Sequence, residues 1–134
     1  MRSRRASPPS PARLPAHRIL CAAAKPSNRR ALFAAFARPG WTVECVCDGG
    51  EALDHFAKYG APDLLVTSHA LPRVDGVSLV RRMRRAGFRG RILVVCESLS
   101  PVERAAYRAL HVTAIFVSPP PRAVLLAAAE LPAA

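Results

Sequence analysis

Hydrophobic residues along this chain fall into five short runs, each followed by polar turn residues and a stretch with helical spacing. Most positions in a run are apolar, rather than alternating between apolar and polar. Such runs are typical of strands that are covered on both faces, as in a parallel sheet. The five predicted strands occupy residues 19–23, 41–46, 63–67, 92–96 and 114–117.

Between the runs, apolar residues recur every three or four positions, which predicts amphipathic helices. Asp75 precedes one helix, and Ser100 with Pro101 forms an N-cap followed by proline at the first helical position. An alternation of strands and helices predicts an α/β fold with a doubly wound five-stranded parallel sheet flanked by helices. Ligands on such folds bind at the carboxyl ends of the strands. Pro26 and Ser27 offer a start for the first helix, and the helical patterns cover residues 28–38, 51–59, 75–87, 101–110 and 122–131.

The first 16 residues differ in composition from the rest of the chain. They are rich in Pro, Arg, Ser and Ala and have little to bury, which predicts a disordered basic tail at 1–16 and one domain at 17–134. Prolines interrupt the place where a secretory signal has its apolar stretch. No apolar run approaches the roughly 18 residues that span a bilayer. We therefore expect a cytoplasmic protein without membrane association.

The net charge of +11 is large for 134 residues, and the tail carries only part of it. Such a charge attracts acidic proteins or nucleic acid, although arginines also form ordinary solvated helix faces. Aromatic residues are not interleaved with the arginines, and no nucleic-acid reading motif is present, so only nonspecific phosphate contact is expected. The candidate basic patch consists of Arg81, Arg82, Arg84, Arg85, Arg89 and Arg91.

Four cysteines, Cys21, Cys45, Cys47 and Cys96, occur in the chain, three of them within apolar runs. In a reducing compartment such residues behave as small buried hydrophobes. Cys45 and Cys47 would share one face of the second strand, which leaves a thiolate pair open as an alternative. No further ligands with metal-site spacing accompany them, so we expect neither a metal nor a cofactor.

Several short motifs follow one another in a fixed order. Residues 48–53 read DGGEAL, residues 62–64 read PDL, residues 71–72 read LP, and residues 75–76 read DG at the start of a helix. With these landmarks, about residues 17–131 resemble the receiver domain of bacterial response regulators, the chemotaxis-regulator-like domain of two-component phosphorelay signalling. The resemblance implies a flavodoxin-like order of strands and helices.

The resemblance also identifies a pocket whose chemistry is missing. In receivers, acids after the first strand and an aspartate after the third hold Mg²⁺, and that aspartate accepts a phosphoryl group. A hydroxyl after the fourth strand and a lysine after the fifth contact the phosphoryl group. We therefore expect a degenerate pseudo-receiver that is not an enzyme, needs no Mg²⁺ and keeps one conformation. The corresponding positions are Ala23 and Ala24, Ser68, Cys96 and Ser118.

A histidine, His69, directly follows Ser68. A Ser–His pair can supply a nucleophile and a base. Neighbouring residues at a strand end point in different directions, however, and no acidic residue is evident in the sequence to orient the ring. We therefore interpret His69 as a polar loop residue and expect no catalysis from the pair.

Receivers contact their partners through the fourth helix, fifth strand and fifth helix, and the resemblance implies the same face here. Ile115 stands where the family has an aromatic switch residue, so we expect constitutive docking. The apolar last helix is interpreted as buried, with a dimer face as the alternative. The candidate interaction face consists of Tyr107, Arg108, His111, Ile115 and Arg122.

These observations favour a phosphorylation-independent protein-interaction module in signal transduction. Its partner would be a signalling protein or a second copy of the chain, and no small-molecule substrate is expected. The alternative is a basic adaptor that binds nucleic acid through the arginine-rich tail and the third helix.

Overall fold

The computed structural model describes residues 17–117 and 120–130, in which five strands and five helices alternate. The predicted tail at 1–16 and the candidate pocket residue Ser118 lie outside the described residues. The strands are β1 (His17–Ala22), β2 (Trp41–Val46), β3 (Leu64–Ser68), β4 (Arg91–Cys96) and β5 (Ala114–Val117). The helices are α1 (Pro26–Phe36), α2 (Gly49–Tyr59), α3 (Gly76–Arg85), α4 (Pro101–Ala109) and α5 (Arg122–Ala129).

The strands form one parallel sheet in the order β2-β1-β3-β4-β5. The predicted doubly wound, flavodoxin-like fold is therefore confirmed. Strand β2 lies on one side of β1, and strands β3, β4 and β5 follow one another on its other side. The strand order therefore reverses direction between β1 and β3, and ligands on such sheets bind in the crevice at the carboxyl ends of these two strands.

Alternate residues along each strand enter two separate apolar layers. Leu20, Leu65 and Ile92 belong to the layer that also contains buried residues of α2, α3 and α4. Ile19 and Leu93 belong to the layer formed with α1 and α5. Burial on both faces explains why the strands read as nearly continuous apolar runs.

Side-chain caps fix where three of the helices begin. Asp48 and Asp75 accept hydrogen bonds from backbone N–H groups of α2 and α3 at 2.7 and 2.8 Å. Ser100 and Glu103 form a reciprocal capping box at the start of α4, as the Ser100–Pro101 pattern predicted. Each cap contributes about 1 kcal/mol. The caps thereby define the loops that follow β2, β3 and β4.

Helix α2 starts two residues before its predicted pattern, whereas helix α1 begins at Pro26, where Pro26 and Ser27 indicated a start. Phe33 of α1 is 51% exposed rather than buried. Helix α2 begins at Gly49, where a Cβ atom would lie 1.9 Å from the carbonyl oxygen of Val74. Glycine therefore allows the first turn of α2 to pack against the loop before α3. Among the described helices, none is long and apolar enough to cross a bilayer.

In α5, Leu125, Ala128 and Ala129 are buried against the α1 layer, whereas Val124 is 44% exposed. Three of the eight residues of α5 are therefore buried, so the buried interpretation holds only for the inner side of the helix. A dimer face on α5, the alternative interpretation, would be confined to the exposed side of the helix.

Candidate functional site

The carboxyl ends of β1, β3 and β4 surround a cavity of about 700 Å³. Ala24, Ser68 and Cys96 line it, and Ala23 beside Ala24 is fully buried in the α1–α5 layer. The structure thus brings together four of the five pocket positions named from the sequence. The fifth, Ser118, is outside the described residues.

Cationic groups lie next to the two alanines. The Nη1 atom of Arg29 donates hydrogen bonds of 2.8 Å to the carbonyl oxygens of both Ala23 and Ala24. Lys25 Nζ lies 3.3 Å from Glu97 Oε2 across the cavity mouth. Both side chains of this second pair are exposed, so the pair adds little to stability. Positive charge therefore borders the end of β1.

The site lacks the ligands of a divalent cation. Within residues 17–117 and 120–130, no three His, Cys, Asp or Glu side chains are grouped in a way that would hold a metal. Glu97 and Glu103 line the cavity, but Glu97 is paired with Lys25 and Glu103 with His69. Mg²⁺ needs several oxygen ligands in near-octahedral geometry.

His69 connects the loop after β3 to helix α4. Its Nδ1 atom lies 2.7 Å from the hydroxyl of Tyr107, and its Nε2 atom lies 2.9 Å from Glu103 Oε2. Burial raises the pKa of the Tyr107 phenol, so its O–H stays protonated and donates to Nδ1. Nε2 then donates to the carboxylate. Hydrogen bonds from the Ser100 backbone N–H and from His69 lower the pKa of Glu103 and keep it ionised.

This network corrects the interpretation of His69 as a loop residue without an acidic partner. The carboxylate of Glu103 is that partner, and 34 residues separate the two in the sequence. Both ring nitrogens are engaged, by Tyr107 and Glu103, so neither is free to accept a proton from Ser68.

Cys96 occupies the position where the family resemblance places a hydroxyl. Its thiol is directed at the backbone of β5, with Sγ 3.6 Å from the carbonyl oxygen of Phe116. Burial raises the pKa of this thiol, so it stays neutral. Cys96 therefore acts as a packed side chain between two strands.

One residue of the predicted interaction face is not available to a partner. The sequence placed Tyr107 on that face, but its side chain is fully buried and its hydroxyl lies 2.7 Å from His69 Nδ1. Arg122 is exposed, and its Nε donates a 3.0 Å hydrogen bond to Ala35 O of α1. Arg108 and His111 are exposed, and Ile115 is partly buried against the α2–α4 layer.

The same face carries apolar residues that the sequence analysis missed. Val102 on α4 is 79% exposed, and Val117 on β5 and Val124 on α5 are each 44% exposed. A helical-spacing argument finds inward-facing residues, so it gives no signal for an apolar residue that faces solvent. The exposed valines of this face therefore become evident only in the structure.

The candidate basic patch divides into structural and exposed arginines. Arg84 donates four hydrogen bonds of 2.9–3.0 Å to backbone carbonyl oxygens, among them those of Leu110 and His111. Arg91 donates to the carbonyl oxygen of Ala129. These two guanidinium groups therefore hold the fold together, which corrects their assignment to a contact patch. Of the remaining four, Arg82, Arg85 and Arg89 are exposed and Arg81 is partly exposed.

Comparisons with known proteins place these observations in context. No family model matches the chain. Over 47 residues the chain is 49% identical to the transcriptional regulatory protein TrcR of Mycobacterium tuberculosis, which is 35% of this chain and 18% of that protein. Over 67 residues it is 42% identical to the response regulator MprA of Mycobacterium avium, which is 50% of this chain and 29% of that protein. The matched segments thus span less than a third of these relatives.

Solved structures give the same picture over most of the chain. The receiver domain of Francisella response regulator 1452 matches with a TM-score of 0.76 at 18% identity, over 85% of this chain and 93% of that one. At this identity, the structural match shows a similarity of fold only. The similarity of sequence is shown by the local matches to TrcR and MprA. The chain therefore has the fold of solved receiver domains and a local sequence similarity to a transcriptional regulatory protein and a response regulator.

Proposed function

We propose that this domain is a degenerate receiver that acts by protein interaction, without phosphorylation of an aspartate and without Mg²⁺. The observation that carries the proposal is the composition of the cavity edge. Ala23, Ala24 and Ser68 stand at the ends of β1 and β3, and Arg29 is bonded to the two alanine carbonyls. A guanidinium at this place repels a divalent cation, and alanines cannot ligate one.

The chemistry of phosphoryl transfer also lacks its nucleophile. An aspartate is ionised at neutral pH, whereas the hydroxyl of Ser68 needs a base to become nucleophilic. The nearest base in the sequence, His69, has both ring nitrogens in hydrogen bonds to Tyr107 and Glu103. Acceptance of phosphate from a small phosphodonor is therefore not expected, and no enzymatic step is assigned to this domain.

If phosphorylation does not switch the domain between conformations, its partner must bind a surface that keeps one conformation. The bonds from His69 to Tyr107 and Glu103 tie the loop after β3 to α4 and bury the tyrosine ring. Ile115 on β5 has no polar side-chain atom, so its rotamer cannot change through a hydrogen bond that depends on phosphorylation. These features support one conformation of α4 and β5, in which a partner can dock constitutively.

The proposed docking face combines apolar and basic groups. Val102, Val117 and Val124 are exposed on α4, β5 and α5, and Arg108 and His111 are exposed at the C-terminal end of α4 and just after it. Exposed apolar and basic groups of this kind suit a protein partner whose surface carries apolar and acidic groups. The proposed partner is accordingly a signalling protein, with a second copy of the chain as the other outcome.

Thermal unfolding with and without Mg²⁺ tests independence from the ion. The melting temperature should not change when the metal is added to the full chain. As a matched control, the Ala23→Asp/Ala24→Asp/Ser68→Asp variant, if folded by circular dichroism, should gain a Mg²⁺-dependent increase. A rise of several degrees in the native chain would contradict the proposal.

Sedimentation velocity separates the two kinds of partner. A concentration-dependent dimer that Val102→Ser and Val124→Ser weaken would identify the second copy. A monomer at all concentrations leaves a different signalling protein as the partner. Anisotropy of labelled DNA across salt concentrations covers the nucleic-acid alternative, which the comparisons do not favour.

A further inference from the structure

Cys21 and Cys45 occupy directly paired positions on the neighbouring parallel strands β1 and β2. Paired residues of adjacent strands lie on the same face of a sheet, with Cα atoms about 4.8 Å apart. This separation is within the range of about 4.4–6.8 Å that a disulfide spans. The cysteine pair that the strand register favours is therefore Cys21 with Cys45 on two strands, rather than Cys45 with Cys47 on one strand.

The two thiols have different surroundings. Cys21 is fully buried in the α1–α5 layer, whereas Cys45 lies on the edge strand β2 and is partly exposed. The Cys45 thiol donates a hydrogen bond to the carbonyl oxygen of Arg29, with a distance of 3.8 Å from Sγ to the oxygen. The Cys45 sulfur is thus accessible to a reagent, whereas the Cys21 sulfur is covered.

The environment of Cys45 favours the thiolate. The neighbouring Cys21 thiol, at the paired position on β1, and the Arg29 charge lower the pKa of Cys45 to about 7. The neighbouring Cys45 and burial raise the pKa of Cys21, which stays a thiol. Partial desolvation and the Glu51 carboxylate raise the pKa of Cys47, and burial raises that of Cys96. A low-pKa, accessible thiol beside a second cysteine is the arrangement found at redox-sensing sites.

We infer that Cys45 and Cys21 form a peroxide-sensitive thiol pair, in which Cys45 is oxidised first and Cys21 then closes a disulfide between β1 and β2. The Cys45 thiolate attacks one oxygen of a hydroperoxide, the O–O bond breaks, and a sulfenic acid forms while an alkoxide or hydroxide leaves and takes a proton from solvent to become an alcohol or water. The Cys21 sulfur attacks the sulfenic sulfur and displaces hydroxide, which takes the Cys21 proton to form water. The peroxide is reduced by two electrons and the two thiols are oxidised by two.

This inference uses neither the cavity nor the docking face, so it can be tested separately from the proposed function. Arg29 is the one residue that both involve, since its Nη1 borders the cavity while its backbone oxygen and its charge lie near Cys45. Oxidation would link the edge strand β2 covalently to its neighbour β1.

Peroxide titration of the full chain tests the pair. After limited hydrogen peroxide and quenching with catalase, we expect a mass loss of two hydrogens and a Cys21–Cys45 disulfide in the peptide map. Cys21→Ala should stop the reaction at Cys45, which dimedone then labels as a sulfenic acid. Cys45→Ser should leave Cys21 reduced at the same exposure.

Cys47→Ser and Cys96→Ser are the matched controls and should form the disulfide at the native rate. The pH profile of Cys45 alkylation gives a second reading, with a midpoint near 7 that rises in Cys21→Ala because the neighbouring thiol is gone. Oxidation of Cys47 or Cys96 as fast as Cys45 would overturn the inference. Persistence of reduced Cys21 after Cys45 has been oxidised in the native chain would overturn it as well.

Discussion

The Nδ1 atom of His69 lies 2.7 Å from the phenol oxygen of Tyr107, although 38 residues separate them in the sequence. This hydrogen bond joins the loop at the carboxyl end of β3 to helix α4, which belongs to the proposed docking face. Because the tyrosine ring is fully buried, its position cannot change without exposing apolar surface. The pair therefore links the cavity edge to the docking face through one defined conformation.

Tyr107→Phe tests this link. The substitution keeps the ring but removes the hydroxyl, which leaves Nδ1 of His69 without its donor. We expect the free energy of unfolding to fall by about 1–2 kcal/mol in urea titrations. Tyr59→Phe is the control, because Tyr59 is 56% exposed, and it should change stability by less than about 0.5 kcal/mol. Equal stability of Tyr107→Phe and the native chain would show that the bond contributes nothing.

Gly76→Ala should destabilise the domain through the same contact. A Cβ atom at residue 76 would lie 2.3 Å from the Tyr107 hydroxyl and 2.8 Å from the carbonyl oxygen of Ser68. Such overpacking costs about 1–3 kcal/mol, measured again by urea unfolding. In a Tyr107→Phe background the cost should be smaller, since one of the clashing atoms is absent. Additive effects of the two substitutions would contradict the contact.

Arg84→Met should destabilise the domain by about 2 kcal/mol or more, since four backbone carbonyl oxygens would lose their shared donor. Arg85→Met on the same helix is a matched control, because Arg85 is exposed. We expect its stability to remain within about 0.5 kcal/mol of native. Thermal or urea unfolding distinguishes them. If both substitutions cost the same, Arg84 belongs to the exposed patch after all.

The pH dependence of stability should depend on Glu103. Hydrogen bonds from the Ser100 backbone and His69 lower the pKa of Glu103 in the folded chain below its ordinary value of 4.5. The carboxylate therefore stabilises the fold fully above about pH 4.5, and this contribution is lost as the pH falls through the folded-state pKa. Glu103→Gln should lose less stability than the native chain on acidification in urea titrations across pH. Glu97→Gln, at an exposed carboxylate, should follow the native curve.

The strands and helices could be predicted because each leaves a local signal. Apolar runs such as 92–96 and caps such as Ser100 depend on residues close together in the sequence. The family resemblance then placed Ala24, Ser68 and Cys96 at one edge of the sheet, and the structure puts them around one cavity. Periodicity and motifs were sufficient for these features.

Contacts between distant residues could not be predicted in this way. Glu103 was read only as part of a helix, and nothing in its neighbourhood indicates a bond to His69. Cys21 and Cys45 become partners only once the register of β1 on β2 is known. Arg84 looks like its neighbours in sequence, and the packing of the α4–β5 loop against α3 gives it two of its four carbonyl partners, those of Leu110 and His111. These features arise from tertiary structure, which a local pattern does not encode.

Incubation of the full chain with acetyl phosphate and Mg²⁺, followed by intact-mass spectrometry, tests the central claim most directly. An aspartate-bearing receiver domain treated in the same way shows that the reagent is active, and Ser68→Ala shows whether any adduct belongs to Ser68. We predict that the native chain gains no phosphoryl group. An acid-labile phosphoryl adduct on the folded chain would contradict the account of this domain as a phosphorylation-independent receiver.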